Sequence, residues 1–518
     1  MSNTTASAVP RRSFLAGSLA SGVLSIGMAE PSLGQADTPK RGGTLRIGMN
    51  GGGSTDSWDP AMANNPVPAF ISFLAFQCLV ELDRQGNPVP ELAEGWEVDG
   101  SGTKWAFALR KGAQFHNGKT FEAQDAVYSL RRHLGRDSTT MGRTLMEDIT
   151  EVSADGDNRI LITSARRNME LPEILGNYVF AIVPNGYDDW SKPIGTGPYA
   201  VESFQHGVQY FTKRYPNYWK PDRAWYDAVE LSVINDSTAR LNALLTRKID
   251  IMNRVDRRLV KAMRASSGIQ IIQSPGGLHH IFGVDCRTEE FSNNDIRLAL
   301  KYAINRDLLV DQVLQGFGRI GNDHPIPSSN KYFNSKLPQR PYDPDRAKFH
   351  LKRAGLTSFK TQLHASTGAF TESVDEAVLF AEAAKKANID IEVIREPADG
   401  YWTNVYKKKP FTVTYSSGEV TAEATLARRF QSNSPLNFSF WSNSKFDQMI
   451  QAVRDQTTEE ARKDLFWQMQ ELASEEGGII VPVFADFLDA ASDRVRNVGP
   501  NPIRELDGQR IAERTWFS

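Results

Sequence analysis

Residues 359–417 read FKTQLHASTGAFTESVDEAVLFAEAAKKANIDIEVIREPADGYWTNVYKKKPFTVTYSS. The hydrophobic period switches repeatedly along this stretch. FKTQLHAS alternates like a strand, ESVDEAVLFAEAAKKAN carries a helical pattern, IDIEVI is a strand, GYWTNVYKKK a short helix and FTVTYSS a strand again. Such alternation describes an open α/β sheet built from βαβ units. In sheets of this kind ligands sit beyond the carboxyl ends of the strands. The last strand therefore delivers Ser416, Ser417, Gly418 and Glu419 to the expected site.

Upstream, NNDIRLALKYAINRDLLVDQVLQG predicts one helix, with Asn293 or Asn294 as its N-cap and Gly316 as its stop. YDPDRAKFHLKRAG predicts another, with Asp343 capping, Pro344 in the first turn and Gly355 at the end. The N-terminal half has a different texture. TLRIGM (44–49) is strand-like and runs into a glycine-rich turn, NGGGSTDSWDP; residues 70–82 read as a helix followed by a short strand. Trp105, Phe107 and Leu109 alternate along a strand, Asn117-Gly118 turns, and a helix starts near Glu122.

The chain opens MSNTTASAVPRRSFLAGSLASGVLSIGMAE, a basic start before a short, mildly apolar run. That run is too short for a bilayer, which takes about 20 residues. Arg11-Arg12 before Phe14-Leu15 resembles a twin-arginine export signal, with cleavage expected after Ala36. The remaining chain, about 480 residues, is long enough for two or three domains. Lys and Arg total 60 against 62 Asp and Glu, a balance that argues against nucleic acid as a partner. Cys78 and Cys286 fit either a disulfide or two buried free thiols.

Six motifs then occur in order: SWDP (57–60), WAFALRKGAQFHNGKTFEAQDAVYSL (105–130), GTGPY (195–199), FSNNDIRLALKYAINRDLL (291–309), YDPDRAKFHLKRAGL (342–356) and EEGGIIVPVFAD (475–486). Together they resemble the extracytoplasmic solute-binding proteins of peptide/nickel-type ABC importers. The resemblance covers the chain after the signal. It implies a periplasmic binding protein fold of type II, α/β, with two lobes joined by a two-strand hinge. The implied division is a signal at 1–36, a first lobe at 37–282 with an extra subdomain about 80–215, a second lobe at 283–482, and a return to the first lobe at 483–518. HIFGVDC and IVPVFAD would be the hinge strands. The implied function is capture of a small peptide-like or amine-bearing solute in the periplasm by lobe closure, and delivery by this monomer to an inner-membrane permease. Oligosaccharide, opine and metal-chelate ligands are alternatives within the same role.

The resemblance also places site residues. Glu419 in SSGEVT matches, by position, the acid that holds a ligand ammonium, with Ser417 and Gly418 beside it. Relatives often carry an Asp-rich stretch and a proline there, where this chain reads GEVTAEATL. Asn64 and Asn65 match a loop that contacts ligand backbone. Their amides both donate and accept. Trp58, Trp402 and Trp441 flank Gly, Ser or Asn loops and are candidates for an aromatic cage. His279 and His280 face opposite ways on a strand, and His280 is the candidate for the cleft. Asp323 and His324 in GNDHPIP are candidates from the second lobe. A periplasmic peptidase or amidase is the competing class, but the chain has no GxSxG, HExxH or CxxC. SSNK (328–331) and SNSK (442–445) lack the companion motifs of an acyl-enzyme. The reading is of a binding protein, not an enzyme, with no cofactor. Replacing Arg11 and Arg12 together by Lys is expected to leave precursor in the cytoplasm, as read by cell fractionation; normal export of that variant sinks the twin-arginine assignment.

Overall fold

The computed structural model describes residues 38–518; the twin-arginine segment and the expected cleavage point lie outside the described residues. Two seven-stranded sheets carry the architecture. In the first, Thr44–Met49 runs parallel to Ala228–Val233 on one side and to Ile251–Met252 on the other. Phe487–Ser492 and Ile269–Ser274 extend it at one edge, Gln209–Arg214 and Tyr199–Gln205 at the other. The second sheet holds the expected βαβ units. Phe359–Ala365 lies parallel to Ile389–Arg395 and to Phe411–Ser416, and the helix Ser373–Lys385 makes the first crossover. A separate four-stranded sheet, Ala93–Val98, Lys104–Leu109, Arg159–Ser164 and Ile149–Ala154, forms the extra subdomain. Each main sheet has its own apolar core: Ile47, Phe70 and Leu231 in the first lobe, Phe282, Leu363 and Val413 in the second.

Capping residues set the helices as the sequence indicates. The Asp343 carboxylate accepts from the Arg346 amide ahead of Pro344, and Gly355 ends the turn at φ 80°. Glu122 opens Ala123–Arg131 with a reciprocal capping box to Asp125. Three expectations shift. The helix opened by Asn293 stops at Ala303, because Asn305 caps a new turn by accepting from the Leu308 amide, so no single helix reaches Gly316. GYWTNVYKKK makes one wide turn, Tyr401–Val405. Residues 199–214 belong to the first main sheet, where Gln209–Arg214 pairs with Ala228–Val233, so they are not part of the small subdomain. Cys78 and Cys286 are both free; they pack in different lobes, where no bond can join them. No helix among the described residues is long and apolar enough to cross a membrane.

The chain passes between the main sheets twice, at 275–278 and at Asp486. The first passage lies just before HIFGVDC, and the second falls on the last residue of IVPVFAD. His279–Val284 pairs wholly with second-lobe strands, and so does Val483–Ala485, so the expected limits at 282 and 482 fall inside the second sheet. The crossing needs glycine. A Cβ on Gly276 would stand 2.6 Å from the Pro502 oxygen, and one on Gly277 2.8 Å from the Ser417 oxygen. Asp486, nearly fully buried, accepts from Arg319 of the second lobe at 2.8 Å and from Gln273 of the first at 2.7 Å. Arg319 also donates to the Gly276 oxygen at 3.0 Å and so ties both crossings together.

A buried charge network fastens the C-terminal residues to the first lobe. The Lys220 ammonium donates to Glu81, Glu91 and Glu513 at 2.7, 2.9 and 3.0 Å, filling the space these three carboxylates enclose. Arg510 grips both oxygens of Glu91 at 2.8 Å, and Arg514 joins Glu81 to Asp507. Burial works to raise the Glu513 pKa, but Lys220 and Arg510 overcome it and draw it down to about 2. Removing one member leaves an uncompensated buried charge. Arg510→Ala is therefore expected to cost about 3–5 kcal/mol in urea unfolding; a loss under about 1 kcal/mol contradicts a structural role.

Candidate functional site

Three neighbouring parallel strands of the first lobe stop in the same way. Each ends in apolar residues followed by asparagine: Met49-Asn50, Ile234-Asn235 and Met252-Asn253. The amides interlock. Asn253 accepts from the Asn50 backbone at 2.9 Å and donates to the Asn50 side chain at 3.0 Å, while Asn235 accepts from the Gly51 amide at 3.0 Å. Next to Asn253, Arg254 adopts a left-handed φ of 47°. Buried Arg240 holds that turn by donating to the oxygens of Ile234, Asn235 and Arg254. The Arg254 Nε donates to Glu505 at 2.8 Å, and the Arg254 side chain is 47% exposed.

The second lobe contributes its own strand ends. After Phe411–Ser416 the chain turns at Gly418 (φ 78°) into Glu419, whose amide donates to Thr425 Oγ1 at 2.9 Å. Thr421 then caps Ala422–Phe430. Arg428 of that helix pairs with the Glu419 carboxylate, so the expected amine anchor already holds a cation. Trp402 and Tyr415 stand partly exposed beside it, ring to ring at 6.2 Å, and Tyr406 packs on Trp402 at 5.2 Å. The Gly277 crossing lies against Ser417, which places these residues at the hinge end of the cleft.

Side chains reach across between the lobes. Arg257 donates to Glu372 at 2.6 Å and to the Asp486 oxygen at 3.2 Å. The extra subdomain meets the helices of the second lobe through Arg454 to Asp148 at 3.0 Å, Arg462 to Glu170 at 2.8 Å and Arg166 to Gln451 at 2.9 Å. The lobes are closed on each other.

Ser417, Gly418 and Glu419 follow the strand whose Tyr415 packs on Trp402, and the structure puts the other candidates elsewhere. Trp58 is 1% exposed and packs edge-on against Phe204 and Tyr210, because the loop that carries it folds over the first core. Trp441 is buried between Phe430 and Phe446 in the second lobe. His280 is buried as well, stacked on Phe370 at 4.0 Å with Nδ1 2.7 Å from Glu376; neither His279 nor His280 faces solvent. Asp323 takes Arg306 and Arg340 in the second-lobe interior, which draws His324 inside. Burial pushes His279 down to about 3 and His324 to about 4, so both rings are neutral. Asn64 and Asn65 are exposed in the loop before Pro66–Ala75, and Pro66 packs on the Gly51 turn, so they stand at the rim. Sequence reading missed Asn50, Asn235, Asn253, Arg254 and Tyr415. Their signal is the threefold recurrence of an apolar strand cut off by asparagine.

Residues 87–434 match the family model for bacterial extracellular solute-binding proteins, family 5. A dipeptide-binding protein of Pseudomonas aeruginosa is 23% identical over 481 residues, covering 82% of this chain and 86% of its own length. A periplasmic binding protein of Helicobacter pylori, solved with the peptide STSA, superposes with a TM-score of 0.78 at 21% identity over 92% of this chain and 98% of that one. A binding protein of A. tumefacien R10, solved with agropinic acid, gives 0.78 at 20% identity over 92% and 99%. These superpositions show the two-lobed fold.

Beneath Arg254 lies Asp489, fully buried, accepting from the Arg254 and Leu506 amides. Burial, with Glu505 alongside, pushes its pKa up to about 8. The folded protein therefore binds a proton here that the unfolded chain releases near pH 4, so stability falls as pH rises from about 4 to about 8 and levels off above. Melting temperature followed across that range is expected to decline in the wild type and to lose that slope in Asp489→Asn; an unchanged slope in the variant rules out Asp489 as its source.

Proposed function

Because the chain belongs to the bacterial extracellular solute-binding proteins, family 5, we propose that it captures a small peptide-like or opine-like solute bearing an amine. Docking on an ABC permease of the inner membrane then passes the solute on. The observation that carries this reading is the meeting of two sets of strand ends across one hinge. Interlocked amides and Arg254 come from the first lobe, and Ser417, Gly418, Glu419 and Trp402 from the second. Such a set suits a ligand with both an amine and a carboxylate. A carboxylate has about four lone-pair sites, and Arg428 leaves room at Glu419 for an ammonium donor. Of the relatives named above, one is a dipeptide-binding protein, and the other two were solved with the peptide STSA and with agropinic acid. The receptor acts as a monomer in the periplasm, exported through its twin-arginine signal.

We read the site as one that binds without turnover. Among the described residues, no histidine or carboxylate is hydrogen-bonded to the Ser416 or Ser417 hydroxyl, so neither serine has a base. A second reading, an oligosaccharide ligand, is favoured by the exposed rings of Trp402 and Tyr415, on which sugars stack. A thermal-shift and calorimetric panel of di- to pentapeptides, their N-acetylated forms, opines and oligosaccharides separates these. Free-amine peptides or opines are expected to bind, and Glu419→Gln to weaken them by at least about tenfold, or about 1.4 kcal/mol. Equal affinity for acetylated peptides, or no loss in Glu419→Gln, removes the amine anchor. Binding of sugars alone moves the affinity to the aromatic rings.

A further inference from the structure

We propose that lobe closure is coupled to a proton, taken up at Glu423 where the extra subdomain meets the second lobe, so that acid favours the closed form. This goes beyond the solute-receptor reading and does not depend on which solute is bound. The seam is built by side chains from both lobes. Helix Ser444–Asp455 of the second lobe presents Arg454, which gives Nη1 to Asp148 of the subdomain at 3.0 Å and Nε to Glu423, of the second lobe itself, at 2.5 Å. Helix Glu459–Glu476 presents Arg462, which donates to Glu170 across the seam at 2.8 Å and to the Tyr332 hydroxyl at 3.1 Å. Glu173, on the first-lobe side, has Lys331 at 4.0 Å. Asp148, Glu170, Glu173 and Glu423 are all mostly withdrawn from water, and so are Arg454 and Arg462. The outer cations are not. Lys331 is 58% exposed and shared with Glu459, and Arg166, 3.6 Å from Asp148, is 54% exposed, so water screens both. Four withdrawn carboxylates therefore face two withdrawn guanidinium groups.

That surplus exists only with the lobes together. When they part, Glu423 keeps Arg454 and the first turn of its own helix, Ala422–Phe430, both of which hold it charged, and water reaches it. Closing brings three acids of the first lobe to the same two cations and expels the water. Asp148 takes one edge of Arg454, Glu170 engages Arg462, and Glu147, next to Asp148, stays exposed. Burial, joined by Glu170 and only partly offset by Arg454 and Arg462, pushes the Glu423 pKa up to about 7. Burial raises Glu173 as well. The closed form thus binds a proton that the open form releases near pH 4. Closing is most favoured at and below that pH, weakens as pH rises to about 7, and is flat above. Acid tightens the grip on any solute that prefers the closed form, and a rise toward neutral loosens it.

The test uses the mature chain stripped of bound solute and follows its open-to-closed ratio by small-angle X-ray scattering from about pH 4 to about pH 8. In parallel, carboxyl-labelled glutamate is titrated by NMR, the Glu423 signal being the one lost in Glu423→Gln. The open-to-closed ratio is expected to rise at least about tenfold between about pH 5 and about pH 7.5, with the Glu423 signal titrating near pH 7. Glu423→Gln is expected to hold the acid-side ratio throughout. Asp148→Asn, which returns all of Arg454 to Glu423, is expected to move the change toward acid. If Glu423→Gln does not fold, the wild-type slope and Asp148→Asn still decide. A ratio independent of pH, a slope that survives in Glu423→Gln, an unmoved slope in Asp148→Asn, or a Glu423 signal titrating with ordinary carboxylates overturns the coupling. The Asp489 proton lies inside the first lobe, is common to wild type and variants, and cancels in their comparison. Failure of the peptide panel leaves this test untouched, because no solute enters it.

Discussion

The contact on which the rest of this molecule depends is Arg319 with Asp486. Both passages of the chain between the lobes are held by that one guanidinium, which reaches the carboxylate of one and the Gly276 carbonyl of the other. The second carboxylate oxygen is occupied by Gln273 from the first lobe. A buried aspartate with partners on both sides of a crossing fixes where the lobes are allowed to pivot. The strand ends proposed as the site belong to the two sheets that this pivot joins, and small rotations there would close or open the cleft between them. At Gly276 and Gly277 nothing bulkier than glycine fits, so the pivot is defined by missing side chains as much as by those present.

Closure is supported far from the pivot by ion pairs of quite different exposure. Arg166 with Asp148 is largely in water and contributes little, whereas Arg462 with Glu170 is almost entirely withdrawn from it. Withdrawing two charges costs about as much as their attraction returns. The extra subdomain thus aligns the lobes without driving them shut. The deciding preference is left to what lies between the strand ends, and a solute shifts the balance only through contacts it makes better in the closed form.

Much of the fold is legible in the chain. The period changes along 359–417 give three strands of the second sheet and the helix between the first two, and local capping chemistry at Asp343, Pro344 and Glu122 places helices correctly, because these signals act over a few residues. The hinge was displaced by several residues for the opposite reason. Strand His279–Val284 reads the same in either lobe, and only its pairing with Phe411–Ser416 assigns it. The site was half legible. Loop-flanking tryptophans did not distinguish exposed Trp402 from buried Trp58 and Trp441, since burial is decided by which core the loop folds over. Glu419 lies where strand order puts it, but its pairing with Arg428 depends on a helix one turn further on. Arg254 had no local signature beyond the asparagine before it, since its partner Glu505 lies far along the chain.

The way the C-terminal residues are built in has a consequence for how the chain acquires its shape. The second lobe is one continuous run of sequence between the crossings, and its contacts can form as soon as that run is available. The first lobe is split. Its strand Phe487–Ser492 lies between Ile251–Met252 and Ile269–Ser274, and Arg510 and Arg514 satisfy acids laid down at Glu81 and Glu91. Until synthesis reaches those arginines, Glu81 and Glu91 lack two of the cations that balance them, and the first sheet has a gap. Folding of the first lobe is therefore a post-translational event of high contact order, slower than folding of the lobe that follows it in sequence. The later-made lobe matures first, and residues 487–514 complete the first lobe.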